Sequence, residues 1–450
     1  MDKTYNAKIP KDAIEIIRCI EEAGHEAYVV GGCVRDMLMN REPNDWDITT
    51  SAKPEEIKEI FRRTYDTGIK HGTVTVILNE EHFEVTTYRI ESDYKDFRRP
   101  ETVSFVEDIT LDLSRRDFTM NAIAYHPERG FVDPYEGKED IQKGCIRSVR
   151  EAKERFTEDA LRILRAVRFA AQLGFEIEEQ TLKGIEECKP LLVHISKERI
   201  RDEFLKICIS PRPEYIELLH EYGLMAYIVP EFDKAVGFEQ NHPHHVYDVA
   251  KHTLVAMQEI EPTVRLRLTM LLHDLGKIYT RSVDKHGIHH FYNHPKKSAE
   301  MAKGILKDLK LDNNMIKEVS ALVLYHDHHI SHTINKVYIK KMLMQLGPDL
   351  FRELLKVQLA DAKAQNLEKL PPKLEVIDKQ CRLMEEILAN NEPYQKSMLA
   401  ITGNDLITNG LAKGKEIGLL LDKALHKVIH DPAYNEKDKL IDYCKAQLNR

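Results

Sequence analysis

Apolar residues Ile14, Ile17 and Ile20 recur at helical spacing between Asp12 and Ala23, which predicts a helix leading into the short apolar strand that begins at Tyr28. A Gly31-Gly32 turn follows, then a helix of one to two turns from about Cys33, a polar loop, and a second strand carrying Asp45 and Asp47. Lys53 to Arg63 predicts another short helix, with Pro54 in its first turn. Gly68 to Asn79 and His82 to Arg89 alternate and are β-branched, so they add two strands to the same sheet. Glu91 to Pro100 is polar without periodicity and predicts a loop, and Asp112 to Tyr125 predicts a helix with Arg115, Arg116 and Asp117 near its start. Thr157 to Leu173 predicts one continuous helix. Ala160, Ile163, Leu164, Val167 and Ala171 form its apolar stripe, and Asp159, Arg162, Arg165 and Arg168 step along another side. Helical patterns then dominate. Ser196 stands at an N-cap with Arg199 in the following turn, His252 lies on a helix of apolar period, and His273-Asp274 lies inside another. A linker at Pro371-Pro372 precedes a helix around Leu374 to Leu388; from Thr402 come a helix, a Gly-rich turn and a helix from about Lys415. An α/β first part followed by an all-α remainder is the fold class this pattern supports.

A chain of 450 residues is long enough for several domains. Its seven cysteines have no CxxC spacing, which argues against a zinc ribbon or a disulfide framework and for a reducing compartment. No apolar run reaches membrane-spanning length, and the polar segment after Asp2 and Lys3 lacks a signal-peptide core, so a cytoplasmic protein with no membrane partner is expected. The net charge of −8 does not advertise a nucleic-acid partner, and any RNA surface has to be a local basic patch.

The chemistry starts at Asp45 and Asp47. Carboxylates at i and i+2 of an extended segment share a face, and like charges that close repel unless a cation sits between them. Two divalent ions suit in-line displacement at phosphorus. Ahead of them the paired glycines let backbone approach a phosphate, with Arg35 beside triphosphate oxygens. Glu84 is either a third carboxylate of this set or a surface strand glutamate. Arg115 and Arg116 suit phosphates or neighbouring acids equally. On the later helix, an Asp that only accepts and an Arg that only donates, three residues apart, match the donor–acceptor edges of cytosine and adenine and clash with those of uracil and guanine.

The strings GGCVRD, DWD, RRDFTMNA and EDALRILRAVRF, in that order, resemble the class II CCA-adding enzymes of the DNA polymerase beta superfamily. The resemblance covers about the first two hundred residues. It implies an α/β nucleotidyltransferase head, a mixed β-sheet with helices, followed by all-α neck, body and tail. It further implies that Asp45 and Asp47 hold catalytic Mg2+, that Gly32, Arg35 and Arg116 bind triphosphate, and that Asp159 and Arg162 read the base with Arg165 and Arg168 assisting. A flexible loop at 91–100 would help change nucleotide specificity. The implied reaction adds C, C and A to the 3′ end of tRNA from CTP and ATP and releases pyrophosphate.

From Gln240 a second constellation appears, His252, His273-Asp274, His294, His326 and Asp361, which suits one or two hydrolytic divalent ions gathered from several helices. With 21 histidines in the chain some neighbours are coincidental, but a buried carboxylate needs compensation. The set resembles the HD-superfamily phosphohydrolases, which implies His252, His273, Asp274 and Asp361 as ligands of a second metal, or a decayed site. The expected divisions are a head at 1–150, a neck and base-reading region at 151–238, an HD domain at 239–370 and a tRNA-binding tail at 371–450. Poly(A) polymerase, a CC- or A-only enzyme, a nucleotide-signalling synthetase/hydrolase and an RNA-binding protein with dead sites are the alternatives, and the oligomeric state is left open.

Overall fold

The computed structural model describes residues 3–95, 99–329 and 332–448. They form two compact units, 1–228 and 229–450. Three of the four expected divisions fall wholly within one unit or the other, and the neck division at 151–238 runs into the second.

In the first unit α1 (Lys11–Glu22) buries Ala13, Ile16, Ile17 and Ile20 against a sheet. The strands are β1 (Ala27–Val30), β2 (Ile48–Thr50), β3 (Thr64–Gly68), β4 (Thr73–Leu78), β5 (Glu81–Thr87), β8 (Ala124–His126) and β9 (Gly130–Val132), in the order β3-β4-β5-β2-β1-β8-β9. β1 is buried throughout, as a central strand must be when both faces are covered. α2 (Gly32–Leu38) follows it, and α3 (Pro54–Ile60) follows β2. The sheet is mixed: β1 and β2 run antiparallel with Val29 opposite Ile48, whereas β2 and β5 run parallel with Ile48 opposite Val85. Continuing that parallel register by one residue sets Asp47 alongside Glu84.

Four sequence expectations are corrected here. Asp45 and Asp47 lie immediately ahead of β2 rather than on it, although Asp47 already accepts the Val30 N–H at 3.0 Å. Glu91 to Pro100 is not wholly a loop, because β6 (Arg89–Lys95) and β7 (Arg99–Phe105) pair as an antiparallel hairpin; its tip, 96–98, lies outside the described residues. Asp112 to Tyr125 is a short α4 (Ile109–Ser114), a 3-10 turn at Thr119–Asn121 and β8. Phe118 leaves the helix in extended conformation because its ring is wholly buried and its backbone bridges to Ser148. The predicted Thr157–Leu173 helix is broken. After α5 (Gly137–Lys143) come α6 (Ala152–Glu158) and α7 (Leu161–Leu173), with Asp159 between them at φ −141° and ψ 102°. The Asp159 carboxylate accepts the Leu161 N–H at 3.1 Å, the local competition with helical bonding that short acidic side chains offer. A parallel pair β10 (Cys145–Ile146) and β11 (Glu176–Ile177), α8 (Glu179–Cys188), α9 (Lys197–Cys208) and α10 (Ile216–Glu221) complete the unit. Ser196 does stand at the N-cap of α9, but its side chain makes no capping bond.

The second unit is helical apart from a hairpin of β12 (Ser282–Val283) and β13 (His289–His290). Its helices are α11 (Pro230–Asp233), α12 (Val249–Gln258), α13 (Val264–Leu272), α14 (Lys277–Thr280), α15 (His294–Asp308), α16 (Asn313–Tyr325), α17 (Lys336–Lys363, kinked at Gly347-Pro348), α18 (Leu370–Ala389), α19 (Gly403–Thr408), α20 (Lys415–His430) and α21 (Lys437–Leu448). Pro371 and Pro372 form no linker. They occupy the first turn of α18, where the missing N–H groups have no intrahelical partner to lose. His273 caps the end of α13 and Asp274 follows it, so the pair sits in the turn after the helix rather than within it. Among the described residues no helix is long and apolar enough to cross a membrane.

Candidate functional site

At the edge of the head sheet Asp47 feels both other acids. Burial pushes its carboxyl above the ordinary range, Arg116 opposes that, and the charges of Glu84 and Asp45 add to it. Glu84 is exposed on β5 opposite Thr75, close enough to Asp47 for its charge to raise that carboxyl. Such mutual repulsion is what a divalent cation between carboxylates would relieve. Among the described residues the tightly gathered ligand groups, with all atoms within 4.8 Å of one another, are both in the second unit, and the head acids are not among them.

Gly31 is required by its geometry. It sits at φ 83° and ψ −128°, and a Cβ there would lie 2.8 Å from Nη1 of Arg116. Arg116 thus packs over the glycine turn; its Nη2 reaches Asp112 at 3.5 Å, and its buried Nε has no hydrogen-bond partner among the described residues. Arg35 points the same way from α2. It donates to Asn121 Oδ1 at 2.8 Å and to Asp36 Oδ1 at 2.9 Å, with its guanidinium 5.2 Å from the Phe169 ring centre. A Cβ on Gly32 would meet Arg35 Nη2 at 3.8 Å, so the second glycine is in open contact with the same guanidinium. Cys33, behind them, is an inert core thiol that burial pushes up to about 12.

Two of the three arginines of α7 converge on the same ring. Arg168 lies 3.9 Å and Arg165 5.4 Å from the Phe169 centre, within cation–π range. Arg165 donates to Asp117, which also accepts from Asn121 at 3.1 Å. Burial alone would raise the Asp117 carboxyl, but Arg165 and these hydrogen bonds hold it well below the carboxylate range. Arg168 pairs with Glu203 at 2.6 Å, and burial lowers its guanidinium to about 10 against that partner's pull. The proposed base readers are already engaged. Both oxygens of Asp159 meet the Arg199 guanidinium, at 3.2 and 2.7 Å. Arg162 donates to Glu158 at 2.7 Å and to the carbonyls of Arg155 and Arg115 at 3.1 and 2.9 Å. Sequence reasoning did not single out Asn121, Phe169 or Glu203 and gave Arg199 no role; each has a partner 30 residues or more away in the chain, Arg35 for Asn121 and Phe169, Arg168 for Glu203 and Asp159 for Arg199, and that pairing leaves no local mark.

In the second unit His252 (α12), His273 and Asp274 (after α13) and Asp361 (α17) gather, all buried, and Asp274, His294 (α15) and His326 (after α16) form a second such group. Each of the four rings bonds a backbone carbonyl through Nδ1: His252 to Ala364 at 3.2 Å, His273 to Met270 at 2.6 Å, His294 to Phe291 at 2.8 Å and His326 to Val323 at 2.7 Å. Those acceptors make each Nδ1 a donor and turn every Nε2 inward, the arrangement by which metal-binding histidines are oriented. Lys277 lies 2.7 Å from Asp274 Oδ2. Burial, which would raise the Asp274 carboxyl, is outweighed by His273 and Lys277, so the acid is ionised. The groups open on a cavity of about 1160 Å3 lined by further histidines and by Lys277, Lys296, Lys373 and Lys379.

Three family models match the chain: the poly A polymerase head domain at 27–147, the "Probable RNA and SrmB- binding site of polymerase A" at 174–236, and tRNA nucleotidyltransferase domain 2 at 287–444. The chain is 37% identical over 435 residues to the CCA-adding enzyme of Lactobacillus johnsonii, covering 96% of each, and 35% identical over 444 residues to that of Enterococcus faecalis, covering 98% of this chain and 97% of the other. Its fold matches the crystal structure of the Bacillus stearothermophilus CCA-adding enzyme in complex with CTP at a TM-score of 0.73 and 30% identity, over 98% of this chain and 97% of that one.

Proposed function

The chain belongs to the CCA-adding enzymes, metal-dependent nucleotidyltransferases, and from that membership we propose that it completes tRNA 3′ ends by adding C, C and A from CTP and ATP. The observation that carries the residue assignment is the convergence of Asp45, Asp47 and Glu84 with Arg116 beside the Gly31 turn. Asp45 and Asp47, with Glu84 next to them, would hold Mg2+. A divalent ion there lowers the pKa of the attacking 3′-hydroxyl and offsets charge at phosphorus. Arg116, with its unpartnered Nε, and Arg35 take triphosphate oxygens over Gly32, whose lack of a side chain leaves the approach open. Asp159 and Arg162 read the amino and ring-nitrogen edge shared by cytosine and adenine, and Arg165 and Arg168, themselves held by Asp117 and Glu203, assist. The test is incubation with tRNA lacking its terminal triplet, Mg2+ and each triphosphate. Ordered C, C, A addition that disappears with Asp45→Ala plus Asp47→Ala is expected. ATP-only tailing of arbitrary RNA would assign a poly(A) polymerase, and a product stopping at CC or requiring it would assign a partial enzyme.

A second reading concerns the His–Asp cluster. The inward Nε2 atoms around a buried, ionised carboxylate favour a divalent ion on His252, His273, Asp274 and Asp361, in support of phosphohydrolase activity separate from nucleotide addition. Metal-dependent hydrolysis of p-nitrophenyl phosphate, lost on Asp274→Ala, is its test.

A further inference from the structure

Beyond the acids the head sheet continues as an open polar face in register with them. Glu84 lies directly opposite Thr75 on β4, and Thr75 directly opposite Tyr65 on β3. Residues paired in this way share a face, so Asp47, Glu84, Thr75 and Tyr65 form one line across four strands. Val74, Val76, Phe83 and Val85 alternate with them and pack in the core. Thr67 joins the line through a 2.9 Å hydrogen bond between its hydroxyl and that of Thr75. The ladder runs on past β3, with the Arg63 carbonyl accepting the Ile77 N–H at 3.0 Å, which brings Arg63 to the same face as Tyr65. Arg63 and Glu84 are exposed, and Tyr65 is 58% exposed. A solvent-facing tyrosine is ordinary by itself; its place on this line is what gives it a use.

In-line displacement puts the attacking oxygen and the leaving pyrophosphate on opposite sides of the phosphorus. The groups assigned to the triphosphate, Arg116 and the Gly31 turn, lie on the β1 side of Asp47, where the Gly31 N–H donates to the Ile123 carbonyl just ahead of β8. The attacking 3′-hydroxyl therefore enters from the β5 side. Its oxygen bonds to the α-phosphorus as the bond to pyrophosphate breaks, and its proton passes to water. We propose that the face over β5, β4 and β3 is the track of the RNA 3′ strand, with Tyr65 stacking on one of its last bases and Arg63 against a neighbouring phosphate. The inference rests on the reading of Asp45 and Asp47 as the site of nucleotide addition and adds where the acceptor strand lies. Three strand spacings of about 4.8 Å put Tyr65 roughly 14 Å from Asp47. At the roughly 3.4 Å rise of a stacked strand, that distance falls within about four nucleotides of the 3′ end. The terminal base changes with every addition, so a contact reading base edges there would favour one round and hinder the next. An aromatic ring stacks on any base and serves every round.

The experiment measures CMP incorporation by the full chain into tRNA lacking its terminal triplet, with RNA and CTP varied separately. Tyr65→Ala should raise KM for the RNA by about 5- to 100-fold, the loss of one base stack, and leave KM for CTP within about twofold. Tyr65→Phe keeps the ring and should restore the RNA KM. Arg63→Ala should raise the same KM and reduce its dependence on salt. Circular dichroism checks that the alanine variant folds, and Tyr65→Ile, which keeps strand propensity without a π face, replaces it otherwise. An unchanged RNA KM, equal losses for RNA and CTP, or a phenylalanine variant as impaired as the alanine one overturns the track and leaves nucleotide addition at Asp45 and Asp47 standing. A wild-type chain that adds no nucleotide overturns both.

Discussion

Gly31→Ala separates two consequences of one methyl group. The backbone at φ 83° and ψ −128° is open to glycine but costs any other residue about 1–3 kcal/mol. The new Cβ also meets Arg116 Nη1 at 2.8 Å, where ordinary contact begins at 3.4 Å, so the guanidinium has to withdraw by about 0.6 Å. A long side chain yields at little cost in stability, so the strained backbone dominates the melting temperature, which should fall by roughly 2–12 °C. The displaced guanidinium dominates activity instead. Positioning errors approaching 1 Å cost up to about 10²-fold, so kcat/KM should fall by about 10- to 10²-fold. With Arg116 on the triphosphate as proposed, it is not the base that is mispositioned, and CTP and ATP should suffer alike. Differential scanning fluorimetry and single-nucleotide incorporation read the two effects, and a cycle with Arg116→Ala divides them. In that background Gly31→Ala should still lower the melting temperature but cost no further activity. An unchanged melting temperature, or a loss confined to one of the two nucleotides, would refute the reasoning.

Arg199→Ala removes the partner of both Asp159 oxygens. The pair is mostly buried, its side chains 25% and 18% exposed, so losing one partner should cost about 1–3 kcal/mol and lower the melt by several degrees, while misincorporation of UTP and GTP rises in a competition assay. Asp47→Asn should abolish incorporation yet raise the melting temperature of the metal-free chain at neutral pH. The sign follows from a folded-state carboxyl raised above the ordinary 3.8: its contribution is complete below that value and is lost as pH rises through the folded pKa, so the wild-type melt should gain relative to the variant on acidification. Gly276→Ala places a Cβ 2.5 Å from the His294 carbonyl oxygen and 2.6 Å from the Ser298 nitrogen, backbone atoms that cannot swing aside. It should cost about 1–3 kcal/mol by thermal melting and weaken Mn2+ binding by shifting α15 and with it His294.

What the sequence revealed and what it hid divide by the range of the interaction that decides each feature. The GG turn, the strand after it and the order of the acids are local patterns, and the structure has each of them, with Asp45 and Asp47 displaced only to the approach of β2. Glu84 stayed ambiguous because its place beside Asp47 depends on the β2–β5 register, a pairing across 37 residues. The run 157–173 keeps helical periodicity throughout, so nothing local marks the break; what holds Asp159 in extended conformation is its own bond to the Leu161 N–H together with Arg199, 40 residues on. β6 and β7 escaped notice because they pair only with each other, in a two-stranded sheet separate from the main one, and the run carries no apolar alternation to announce them. His294 and His326 were visible as members of a histidine series, but only the coordinates assign them to the other oxygen of Asp274.

The engaged state of Asp159 and Arg162 bears on how a protein side-chain pair could select a base. With Arg199 on both Asp159 oxygens, and Glu158 and two carbonyls on Arg162, neither residue waits unpaired for substrate. An incoming base therefore trades hydrogen bonds rather than adding them. For cytosine or adenine the amino donor can replace Arg199 on Asp159, and the ring nitrogen can accept from Arg162, so the trade is close to neutral. For uracil or guanine a carbonyl meets the carboxylate and an N–H meets the guanidinium, and two partly buried groups lose partners with nothing returned, at about 1–3 kcal/mol each. The resulting 2–6 kcal/mol corresponds to discrimination of roughly 30-fold to 10⁴-fold. It arises from the penalty on the wrong base rather than from extra affinity for the right one. On this account the internal partners of the pair are part of the selection device, since an unpaired Asp159 would gain from almost any donor that reached it.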